Sequence, residues 1–79
     1  MRTKKLNKFI FNEIIIEERK FMKVSQEVFG KLLGVDGKTI SAYEVKSIVP
    51  STEVITLLLK TFQLKLKVID RFDNETIYE

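Results

Sequence analysis

The chain contains no cysteine and no histidine. Without cysteine there is neither a disulfide framework nor a thiolate metal site. With histidine also missing, the usual zinc sites are excluded, and so are Ser–His and Cys–His nucleophiles. An all-carboxylate enzyme would need a pocket that 79 residues rarely build. Enzymatic activity is therefore not expected, and no metal or other cofactor is implied. No unbroken apolar run exceeds three residues, as in Ile14-Ile15-Ile16, against the ~18 that a membrane span requires. The basic start MRTKKLNK is not followed by a small-residue cleavage site, so a signal peptide is not expected and the chain reads as cytoplasmic. With three glycines and one proline there are few places to break an element.

What is present is one small domain with a thin core, since a chain of this size buries only roughly 60 % of its unfolded surface. Its net charge of +3 is unevenly placed. The last ten residues hold four acids (Asp70, Asp73, Glu75, Glu79) against Arg71, which leaves them at −3 and the first 69 residues at +6. A basic body with an acidic tail favours a polyanionic partner, although an ordinary solvated surface accounts for the charge equally well. Lys4, Lys5 and Lys8 fit a frayed, solvated terminus better than an arm gripping a nucleic-acid backbone.

Residues 5–20 read as a first helix, with Leu6, Phe9, Ile10, Glu13, Ile14 and Glu17 at helical spacing and Phe11 and Ile16 widening the apolar face. Ser25 is a good N-cap for a second helix over 25–33, which Gly34 ends by taking a left-handed conformation. Asp36 caps a third helix over 37–46. Pro50 cannot continue that helix, and Ser51 opens a fourth over 51–62, with Ile55, Leu58, Leu59 and Phe62 at helical spacing. From 64 to 69 the period changes: Leu64, Leu66 and Val68 alternate with Lys65, Lys67 and Ile69, a strand pattern. A lone strand leaves its backbone unpaired, so its partner is expected from a second copy. The competing reading is a loop and a short fifth helix over 67–72. Residues 70–79 read as an acidic tail.

The second and third helices, joined over Gly34, form a helix-turn-helix pattern. Two helices crossing steeply over so short a turn need a small residue where they touch, and Gly30 sits there despite its cost of roughly 1 kcal/mol in a helix interior. Val35 is expected beneath the turn, and Ile40 and Tyr43 against the body. Gly37, Lys38, Ser41, Ala42 and Val45 are left on the opposite face. Small outward residues let a helix sink into the major groove of B-DNA, ~12 Å wide.

The stretch VSQEVFGKLLGVDGKTISAYE, followed by Pro50, closely resembles the lambda-repressor-like (Xre-type) DNA-binding domains from Arg19 to about Ile69. Ser25-Gln26-Glu27, Leu33-Gly34-Val35 and Thr39-Ile40-Ser41 with Glu44 match in register. The resemblance implies an all-α bundle of four to five helices with a short C-terminal dimerisation strand as an option. It also implies a site. Gln26 would bind a phosphate and brace the recognition helix, Gly37, Lys38 and Ala42 would fall at base-reading positions, and Thr39 and Ser41 at phosphate or groove contacts. Arg19 and Glu44 would form a structural ion pair. Family members usually have glycine where Lys46 stands, and Lys46 would lie near a phosphate. Gly37 offers no side chain and Ala42 only a methyl group, so Lys38 is the main hydrogen-bonding candidate. DNA shape is expected to supply much of the specificity.

The ending FQLKLKVID resembles that of HipB-type antitoxins, which implies dimerisation through Leu64, Leu66 and Val68. The resulting expectation is a homodimeric transcriptional regulator on a palindromic operator, an autorepressor that could also be the antitoxin of a toxin partner. Phage-type repressors, restriction controller proteins and a protein-binding module that has lost DNA binding are the alternatives.

Overall fold

The structure, a computed structural model, describes residues 4–79. Four helices are followed by a β-hairpin: α1 (Ile10–Met22), α2 (Gln26–Leu33), α3 (Gly37–Glu44), α4 (Thr52–Thr61), β1 (Leu66–Ile69) and β2 (Glu75–Tyr78). Ile15, Phe29, Leu33, Ile40, Tyr43, Val54 and Leu58 form one core drawn from all four helices. Phe62 packs against it by stacking on Phe29, with ring centroids 5.4 Å apart.

Each helix after the first begins at a side-chain cap. Ser25, Asp36 and Ser51 accept from the amides of Val28, Thr39 and Val54, satisfying donors that have no partner within the helix. Gly34 (φ +71°) ends α2, and the Val35 amide returns to the Gly30 carbonyl at 2.9 Å. Both α3 and α4 close with paired backbone bonds around a left-handed residue that is not glycine. After α3, Lys46 (φ +62°) donates to the Tyr43 carbonyl and Ser47 to that of Ala42. After α4, Gln63 (φ +55°) donates to Lys60 and Leu64 to Leu59, which fixes where the chain leaves the helical body.

The first helix starts five residues later than its spacing predicts. The Asn7 side chain accepts from the Phe9 amide at 2.8 Å and the Ile10 amide reaches the Asn7 carbonyl, a local turn that competes with helix. Leu6 is consequently exposed, and the inward face is Phe11, Asn12, Ile14 and Ile15. The third helix stops at Glu44 rather than 46 because of the left-handed closure at Lys46.

The larger correction is at the C-terminus. The segment read as an acidic tail contains β2, and it pairs antiparallel with β1 in the register Leu66–Tyr78, Lys67–Ile77, Val68–Thr76 and Ile69–Glu75. The strand partner expected from a second copy is therefore supplied by the chain itself, and the fifth-helix alternative falls. Thr76-Ile77-Tyr78 has the β-branched and aromatic content of a strand, masked by the surrounding acids. The turn is held by Asp70, whose carboxylate accepts from the amides of Phe72 (2.8 Å) and Asn74 (3.0 Å). Those two bonds hold the Asp70 carboxyl below its ordinary range. The acids also pair: Glu75 lies 3.0 Å from Lys67, and Glu79 3.3 Å from Lys65.

Candidate nucleic-acid interface

Helices α2 and α3 meet across a three-residue connection whose geometry depends on two close backbone approaches. A Cβ on Gly30 would stand 2.5 Å from the Val35 carbonyl oxygen, and one on Gly37 would stand 3.2 Å from the backbone of Glu27. Gly30 thus occupies the crossing that its position in the sequence suggests. A Cβ at Gly37 would crowd the start of α2. The small size of this residue lets the start of α3 approach the start of α2.

The exposed side of α3 is then Lys38 and Val45, with Thr39, Ser41 and Ala42 half-buried between them. Ile40 and Tyr43 are buried on the other side, and burial pushes the Tyr43 hydroxyl to a higher pKa. The Thr39 hydroxyl donates to Asp36 at 2.7 Å, so it also completes the helix cap. That hydroxyl and the Thr39 amide lower the Asp36 pKa.

A chain of polar contacts fixes α3 against the other two helices. The Arg19 guanidinium makes a two-pronged contact with the Glu44 carboxylate, with Nη2 2.8 Å from Oε1 and Nε on Oε2, while Nη1 donates to the Val24 carbonyl at 3.0 Å. Gln26 donates through Nε2 to Glu44 Oε1 at 3.2 Å. Both charged side chains are largely buried, 22 % and 14 % exposed. The Arg19 hydrogen bond is the main reason the Glu44 carboxyl is held below its ordinary range, and the same bond raises Arg19. One carboxylate at the end of α3 is therefore gripped by α1 and by the first residue of α2.

Lys46 does not project freely. Its Nζ lies 3.6 Å from Glu13 Oε1 and 5.6 Å from the centre of the Phe9 ring, while Lys8 covers the same ring at 5.0 Å. Val45, Ile48 and Val49 beside it are exposed.

A protein-family model described as Helix-turn-helix matches residues 15–69. The chain belongs to the lambda-repressor-like (Xre-type) helix-turn-helix family. No curated protein and no solved structure matches it. As a member of this family it is a DNA-binding helix-turn-helix regulator. Among the described residues no helix is long and apolar enough to cross a membrane.

Leu64, Leu66 and Val68 lie outside this helix-turn-helix surface. By strand alternation Leu66 and Val68 share a face of the hairpin with Thr76 and Tyr78, and the Lys–Glu pairs occupy the opposite face. Leu64 and Leu66 are half-buried, and Val68 and Tyr78 more than half exposed.

Sequence reasoning missed Asn12, the one fully buried polar side chain among the described residues. Its signal was available: a lone amide three residues before Ile15, inside an otherwise apolar stripe.

Proposed function

We propose that this protein is a homodimeric repressor of its own operon. The observation that carries the proposal is the α3 surface: Lys38, Ser41 and Ala42 are presented outward on a helix locked by Arg19, Glu44 and Gln26. Lys38 would hydrogen-bond a base edge, the Ala42 methyl would meet a thymine methyl, and Thr39 and Ser41 would contact the backbone or groove. Gln26 would add a phosphate contact beside its bond to Glu44. Lys46 would reach a phosphate by leaving Glu13, a half-buried partner held only at 3.6 Å, a pair whose loss costs little. Gly37 takes no part in base reading in this account.

Dimerisation is assigned to the uncharged hairpin face, with Leu64, Leu66 and Val68. A two-stranded hairpin is marginal alone in water, and no helix packs broadly on this one. Two copies would set their recognition helices ~34 Å apart on a palindromic operator. The likeness of the ending to HipB-type antitoxins extends the reading to a protein that also holds a toxin.

The test is a gel shift on DNA from upstream of the gene over a salt series, with full-length protein and residues 1–63, alongside sedimentation of both. Specific binding and a dimer, both lost in the shorter chain, are expected. A full-length monomer that still binds the operator specifically would remove the dimer from the proposal. Absence of specific binding by either chain would favour a protein-binding module, for which the exposed Val45, Ile48 and Val49 are the supporting observation.

A further inference from the structure

Asn12 lies in the first half of α1 and is completely buried. Its Nδ2 donates to two backbone carbonyls, Tyr43 at 2.9 Å and Ile48 at 2.8 Å. Tyr43 is the penultimate residue of α3, and Ile48 lies beyond the left-handed turn at Lys46. One amide group therefore spans the whole turn by which the chain leaves the recognition helix. Because both partners are carbonyls, the amide must present its nitrogen to them, and Oδ1 is left buried with no partner. Packing alone would favour a leucine at such a position over an amide with an unpaired acceptor. The donors are what the site requires.

The neighbours act on the same turn. Glu13 and Phe9 hold the Lys46 side chain, and Lys46 and Ser47 close the helix end through Tyr43 and Ala42. The Tyr43 carbonyl thus receives both the Lys46 amide and Asn12. The first turns of α1 form a seat for residues 45–49.

We infer that Asn12 is a positioning residue for DNA recognition: it fixes the 45–49 turn against α1, so that the end of α3 and Lys46 meet the duplex in one geometry. Asn12 itself touches no DNA. The inference rests on the reading of α3 as the recognition helix and of Lys46 as a phosphate contact.

The test uses the full chain and an operator duplex selected by the wild type from a random-sequence pool. Asn12→Ala is compared with Leu58→Val, a core variant in α4, at temperatures where each is folded by circular dichroism. Asn12→Ala should lose at least about tenfold in operator affinity, and its salt slope should fall by about one phosphate contact. Leu58→Val should keep both. If Asn12→Ala does not fold, a synthetic chain with an ester in place of the Ile48–Val49 amide weakens the Ile48 carbonyl as an acceptor without altering a side chain. It should show the same two losses in smaller measure. Wild-type affinity and slope in a folded Asn12→Ala or in the ester chain, or equal losses in Leu58→Val, would overturn the positioning role alone. A wild type that selects no sequence from the pool would overturn the recognition-helix reading, and the positioning role with it.

Discussion

Replacing Gly30 with alanine sets two effects against each other. Alanine is favoured over glycine in a helix interior by about 1 kcal/mol. Against that, the new Cβ would lie 2.5 Å from the Val35 carbonyl oxygen and 3.1 Å from that of Asp36. Both obstacles are backbone, and the Val35 amide is tied back to the Gly30 carbonyl, so no side chain can swing clear. Relief requires α2 and the turn to separate. Overpacking of this kind costs about 3 kcal/mol at its upper end, which leaves a net loss of about 2 kcal/mol. For a domain of this size that corresponds to a fall in Tm of roughly 8–16 °C. Gly34→Ala is the internal control. Nothing lies within 4 Å of its Cβ, so only the positive φ opposes it, at about 1 kcal/mol. Thermal and urea unfolding of the three chains should rank wild type above Gly34→Ala above Gly30→Ala. If Gly30→Ala proved as stable as Gly34→Ala or better, the close α2–α3 approach would be wrong, and with it the argument for how α3 is angled.

Two further perturbations probe the polar contacts. Glu44 has a depressed pKa in the folded protein, so its contribution is present above its unfolded pKa and is lost as pH falls through the folded value. Glu44→Gln should therefore be less stable than wild type at pH 7, with the gap closing towards pH 3; urea titrations at both pH values that showed a constant gap would contradict this account of the Arg19 pair. Lys46→Gly should remove the left-handed strain, worth about 1 kcal/mol, and raise Tm, while weakening binding to all DNA sequences alike. A changed sequence preference with an unchanged salt slope would place Lys46 at a base instead of a phosphate.

The sequence by itself determined the helix-turn-helix. Ser25, Gly34, Asp36 and Ser51 are local signals: a side chain caps the amides three residues on, or a glycine takes positive φ, and neither depends on distant parts of the chain. They were legible for that reason, as was the inward face of Ile40 and Tyr43. Other features depended on what the folded chain brings together. Periodicity places Gly37 outward, and only the approach of α2 shows that a side chain there would also crowd Glu27. Asn12 acquires its meaning only when two carbonyls more than thirty residues away converge on it. The last ten residues were read by charge, and their strand emerged only through pairing with β1, where Lys65 and Lys67 find Glu79 and Glu75. Capping and helical periodicity act over a few residues and can be read in order along the chain. Close backbone approach, the satisfaction of a buried amide and strand pairing are set by distance in space, and only the tertiary structure decided them.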